Sequence, residues 1–76
     1  MSHVTNQKAI DATNSEKYAI FITKLNNRYA VRAIPGGYAS YLETNRGWWR
    51  VDNVANFLVW NGEFQGYDDI SSLIEE

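Results

Sequence analysis

Seventy-six residues, 45% of them hydrophobic, make one small domain, and a chain this short buries only roughly 60% of its unfolded surface, leaving little core in which to sink a catalytic pocket. The absence of cysteine excludes disulfides, thiolate metal sites and thiol nucleophiles. The net charge of -2 conceals a split: residues 1–50 hold all seven Lys and Arg against three acids, for +4, whereas residues 51–76 hold six acids and no base, for -6. Such a division points to a charged partner on one side, or to an acidic segment that lies beside a basic sheet.

Residues 1–15 are polar, with Val4, Ala9, Ile10 and Ala12 as their apolar anchors. Thr5 offers a cap for a short helix that nothing prolongs, so the segment reads as a mobile arm ahead of a single α+β domain over residues 16–76. Residues 17–25 and 28–34 alternate between apolar and polar and are rich in β-branched and aromatic side chains, which predicts two strands. Pro35 ends the second, a third runs over residues 37–44, and residues 48–51 make a short fourth, with Trp49 facing inward and Trp48 outward.

Asparagine and glycine pairs supply the positive φ of two-residue hairpin loops, so turns at Asn26-Asn27, Gly36-Gly37 and Asn45-Arg46 each fix a register. The first sets Ile22 opposite Val31 and Phe21 opposite Arg32. The second sets Val31 opposite Leu42 and Arg32 opposite Tyr41, and the third sets Leu42 opposite Trp49 and Tyr41 opposite Arg50. One row across the sheet then reads Ile22, Val31, Leu42, Trp49 and has the character of a core. Its neighbour reads Phe21, Arg32, Tyr41, Arg50, alternately aromatic and cationic.

After Asp52 two patterns compete. Asp52 as N-cap, the stripe Val51, Val54, Ala55, Leu58, and Gly62 as a left-handed stop predict a helix. Asn61-Gly62 and the strand-prone Val54, Phe57, Val59 and Trp60 favour a hairpin instead. Caps and stripe agree with one another, so the helix is the expectation. Residues 63–67 then form a connector or short strand, and Asp68 or Asp69 opens a terminal helix that docks Ile70, Leu73 and Ile74. The expected architecture is α+β: a four-stranded antiparallel β-meander with one or two helices packed on the Ile22/Val31/Leu42/Trp49 face.

Enzyme signatures are missing. There is no Gly-x-Gly-x-x-Gly or Walker-type loop and no His-rich or Cys-rich spacing, and one histidine without a cysteine builds none of the usual nucleophile and base pairs. Adjacent Asp68 and Asp69 read as capping residues rather than paired catalytic carboxylates. The chain is therefore expected to act without catalysis, cofactor or metal. A cysteine-free domain with no apolar run of membrane-spanning length is expected in the cytoplasm.

The candidate binding residues are Phe21, Arg28, Arg32, Tyr41, Trp48 and Arg50. Arginine beside an aromatic ring stacks on its face, and Trp, Tyr and Arg dominate protein interfaces. The same set also suits single-stranded nucleic acid, with bases on the rings and phosphates on Arg28, Arg32, Arg46 and Arg50. An acidic chain without the glycine-flanked aromatics of RNA-binding sheets favours the protein partner. Asp52, Glu63, Asp68 and Asp69 form a second, acidic candidate surface able to imitate phosphates, and cover of the aromatic face by a second copy would make a homodimer. In its small size, aromatic content, lack of cysteine and polarised charge the chain resembles the inhibitors that bacteriophages make against host defence systems. That resemblance implies stoichiometric binding to a larger protein or complex.

Overall fold

The order of strands follows from the hairpins, and each hairpin settles its own register. The structure, a computed structural model, describes residues 3–75 and runs α1 (His3–Asp11), β1 (Tyr18–Ile22), β2 (Arg28–Ile34), β3 (Gly37–Thr44), β4 (Gly47–Val51), α2 (Ala55–Asn61), β5 (Glu63–Asp68), a 3-10 turn (Ser71–Leu73) and β6 (Ile74–Glu75). The fold is α+β, with the sheet order β5-β1-β2-β3-β4-β6: the meander occupies the four central positions, and β6 lies parallel to β4 at one edge.

The Asn45-Arg46 turn is as expected, pairing Leu42 with Trp49 and Tyr41 with Arg50. The middle hairpin turns on Pro35-Gly36, because Ile34 pairs with Gly37, and sets Arg32 opposite Ala39 instead of Tyr41. The first loop is longer than two residues. Thr23 N–H donates to the Asn27 carbonyl, Asn26 N–H donates to the Thr23 carbonyl, and Asn26 takes the left-handed φ of 64° that asparagine tolerates. Ile22 consequently pairs with Arg28 and Phe21 with Tyr29. This shift against the expected register is odd, and with a side-chain period of two it exchanges the faces of β1.

Phe21 therefore lies with Ala19, Val31, Leu58, Val59 and Ile10 in the core between the sheet and the two helices. On the edge strand β5 a bulge between Ile20 and Phe21 leaves Gln65 unpaired, with Gly66 at φ 106°. That extra residue lets both Phe64, opposite Phe21, and Tyr67, opposite Ala19, face the helices. Their rings meet edge-on at 5.1 Å, and the Tyr67 hydroxyl donates to the Ala9 carbonyl at 3.0 Å.

The segment expected as an arm is instead docked over residues 3–15; Met1 and Ser2 lie outside the described residues. Ile10 and Asn6 of α1 are fully buried. Asn6 Nδ2 donates to the carbonyls of Leu58 at 3.2 Å, Val59 at 3.0 Å and Gly62 at 2.8 Å, supplying donors to the open carbonyl end of α2. At the end of α1, Thr13 Oγ1 accepts from Ala33 N–H at 2.8 Å and fixes the helix to β2.

Helix α2 confirms the helical expectation with different ends. Asn53 at φ 62° turns the chain after β4, so the N-cap is Val54 rather than Asp52, and no side chain caps it. Gly62 is extended, at φ -80° and ψ 148°, not left-handed; its N–H donates to the Leu58 carbonyl. The expected terminal helix does not form. Ser71-Ser72 are weak helix formers followed by acids that oppose a helix dipole, while the edge of β4 offers ladder hydrogen bonds.

Candidate functional site

Five of the six candidate binding residues share the face opposite the helices. Opposed residues in a sheet point the same way, so the pairs Ile20–Ala30, Ala30–Tyr41, Tyr41–Arg50, Arg32–Ala39 and Glu43–Trp48 place Arg32, Tyr41, Arg50 and Trp48 together, and Arg28 joins them by alternation along β2. The alternation of cation and ring is present in space. Arg28 Cζ lies 5.8 Å from the Trp48 ring centroid, Arg32 Cζ 5.9 Å from Tyr18, and Arg50 Cζ 6.0 Å from Tyr41. The Tyr18 and Tyr41 rings meet edge-on at 5.8 Å, linking the last two pairs.

Phe21 is the exception and is corrected: it is fully buried on the helix side, because the odd shift in the first hairpin turned β1 over. Trp48 belongs to the arginine face but is only 4% exposed, whereas Trp49, expected inward, is 43% exposed on the helix side of the sheet. The cover over Trp48 is the C-terminal segment. It leaves β5 at one edge, crosses this face and joins β4 near the other, with Ile70 packed among Tyr18, Ile20, Ala30 and Trp48, and with Tyr41 and Ile74 against that cluster.

Two local features seat this strap. Asp69 Oδ1 accepts from Ser71 Oγ at 2.6 Å and Ser71 N–H at 3.0 Å; the hydroxyl first and the amide second hold its carboxyl below the usual value. At the far end the strap passes over Gly47, where an added Cβ would stand 2.7 Å from the Leu73 carbonyl oxygen, on a backbone already at φ 123°. Gly47→Ala is thus expected to lift residues 73–75 and destabilise the fold by about 1–3 kcal/mol, measured by urea unfolding and by faster amide exchange at Glu75. Unchanged exchange there would mean that the strap does not depend on this approach.

The electrostatics of the face are partly satisfied from within. Arg28 Nη1 meets Glu43 Oε2 at 2.7 Å, and Arg50 Nε stands 3.8 Å from Asp52 Oδ1, a side chain that is 80% exposed. Arg32 belongs to neither pair, and its Nε is buried with no acceptor among the described residues. Burial raises the Tyr18 hydroxyl pKa above 10.0, with Tyr41 adding to the rise and Arg32 opposing it, so the ring beneath Arg32 is neutral through the physiological range.

The acidic candidates do not gather into one surface. Asp52 follows β4, while Glu63 and Asp68 stand at opposite ends of β5, paired with Ile22 and Tyr18; only Asp68 and Asp69 adjoin. Sequence reasoning passed over another group. Leu25 in the first loop is 83% exposed, and Phe57 and Trp60 on α2 are 50% and 59% exposed. The signal was available: Phe57 and Trp60 fall outside the Val54, Ala55, Leu58 stripe and, three residues apart, point away from the core. A groove of about 300 Å3 between loop and helix is lined by Leu25, Tyr29, Phe57 and Asn61. Thr23, Lys24, Trp60 and Glu63 line a neighbouring one of about 420 Å3.

Among the described residues no three His, Cys, Asp or Glu side chains stand close enough to hold a metal ion, and no helix is long and apolar enough to cross a membrane. Compared with models of protein families, with curated proteins and with solved structures, the chain matches none of them.

Proposed function

We propose that this protein is a non-catalytic binding module that holds a larger protein through its Arg32, Tyr41 and Arg50 face, and modulates that partner by occupying an acidic site on it. Arg32 carries the reading. Its guanidinium lies against the Tyr18 ring while its Nε is buried without an acceptor among the described residues. A buried donor left unsatisfied costs about 1–3 kcal/mol. Since that nitrogen has no surface of its own, a partner's carboxylate removes the cost by drawing the guanidinium away from the Tyr18 ring as it binds, and then adds a charge-assisted hydrogen bond of fixed geometry. Arg50, loosely held by exposed Asp52, is a second donor that exchanges its carboxylate at little expense.

A discrete carboxylate suits this face better than a phosphate backbone. Asp52 stands beside Arg50, so a phosphate backbone laid along this face would meet a protein carboxylate there. Base stacking is also limited, because Tyr18 and Trp48 are each 4% exposed.

The test uses two defined probes, a labelled peptide of alternating Glu and Tyr and a labelled oligothymidylate, followed by fluorescence anisotropy. The peptide is expected to bind, and Arg32→Ala to weaken it by roughly tenfold or more with an unchanged circular dichroism spectrum. Arg32→Lys keeps the charge without the planar fork and should recover only part of the loss. Equal peptide binding by wild type and Arg32→Ala, or preference for the oligonucleotide with a steep salt dependence, would overturn the proposal.

A further inference from the structure

The sheet keeps two apolar clusters apart. Phe21, Val31 and Leu58 belong to the core under the helices, whereas Ile70 packs with Tyr18, Ile20, Ala30 and Trp48 on the arginine face. The strap can therefore lift without opening the larger core, as a local unit of lower stability than the whole. Little fastens it. Of residues 69–75 Ile70 alone is buried, the 3-10 turn has no side-chain cap, and the ladder with β4 is two pairs long. The strap is also an incomplete occupant of the face. Asp69 and Glu75 make it acidic, yet among the described residues neither enters an ion pair, and Arg32 Nε has no acceptor.

We infer, resting on the arginine face as the binding site, that residues 69–75 are a displaceable cover and that the partner replaces them with a segment of the same kind, in which an aliphatic side chain beside carboxylates takes the place of Ile70. Such a segment gains the contacts the strap already has, with Tyr18, Ile20, Ala30 and Trp48, and adds the carboxylate that Arg32 lacks. The pocket now holds a branched aliphatic group, which sets the size of its replacement. Opening also uncovers Trp48, which is 4% exposed beneath the strap, lies 5.8 Å from Arg28 Cζ, and is of the residue type that anchors interfaces. A closed strap accordingly lowers apparent affinity in proportion to the fraction of molecules in which it is open.

Locking the strap tests this. Residues 49 and 75 are ladder partners on the helix side of the sheet, away from the arginine face, with Cα atoms roughly 4.8 Å apart, within the range of a disulfide. The full chain carrying Trp49→Cys and Glu75→Cys is titrated, oxidised and reduced, with labelled peptides that repeat Glu-Glu-Ile or Glu-Glu-Ser. The reduced protein should bind the isoleucine peptide roughly tenfold more tightly than the serine peptide, and the oxidised protein should bind both alike. Ile70→Ala should raise affinity for the isoleucine peptide by roughly threefold or more, where a merely structural Ile70 would lower it. In the wild type the Leu73 amide should exchange roughly a hundredfold faster than the Leu58 amide. Equal binding of the isoleucine peptide by oxidised and reduced protein, or equal exchange at the two amides, would overturn the inference and leave the arginine face as the binding site. Failure of that site shows separately, as peptide binding that Arg32→Ala leaves unchanged, and overturns both.

Discussion

Asn6→Asp leaves the chain unfolded at neutral pH. The side chain is fully buried, and its amide nitrogen faces three carbonyl oxygens, those of Leu58, Val59 and Gly62. The substitution is nearly isosteric, so packing is conserved and only the donor is lost. An ionised carboxyl there adds a buried negative charge against three acceptors, which costs several kcal/mol beyond the lost hydrogen bonds. A domain of 76 residues has roughly 4–11 kcal/mol of total stability to set against this. The introduced carboxyl has its pKa raised in the folded state, so whatever folded population exists is favoured at low pH and lost as the pH rises through that value. Far-ultraviolet circular dichroism from about pH 3 to 7 checks both parts. A cooperative wild-type melt at neutral pH would show that α1 does not hold α2 through this side chain.

Phe21→Ala is expected to cost about 3–5 kcal/mol of stability in urea unfolding. Its ring is fully buried, packs at 5.6 Å from Phe64, and sits beneath α2 with Leu58 and Val59. Truncation opens a cavity that neither the sheet nor a helix tethered by Asn6 can close. The same experiment separates the two roles open to this residue in the sequence. A surface contact would lose binding with little change in stability, and that outcome would contradict the register in which Phe21 faces Tyr29.

How much of this was legible depends on what each turn specifies. The Asn45-Arg46 hairpin is short and local, and its sequence placed Tyr41 beside Arg50 correctly. At the first loop the asparagine signal was real, since Asn26 is left-handed, but Thr23 and Asn27 close the loop through hydrogen bonds that no dipeptide rule anticipates. The odd register shift that followed moved Phe21 into the core and Ile22 to the arginine face. The shift in the middle hairpin was even, so Arg32 changed its partner and kept its side of the sheet. A short helix near Thr5 was legible, but its docking was not, because the residue that fastens α1 is polar and its acceptors lie more than fifty positions away. The strap escaped notice for a related reason: Ile70 and Ile74 signal docking, but nothing local says that the chain crosses the face bearing Trp48.

The arginine face itself is examined most directly by nuclear magnetic resonance of the Arg32 Nε–H group during titration with the Glu-Tyr peptide. A buried donor without a protein acceptor should give a resonance that moves strongly downfield as the peptide carboxylate reaches it, together with shifts at Tyr41 and Arg50 and none at Leu25 or Phe57. An Arg32 Nε–H signal that stays in place while the peptide binds would contradict the account, whichever other residues respond.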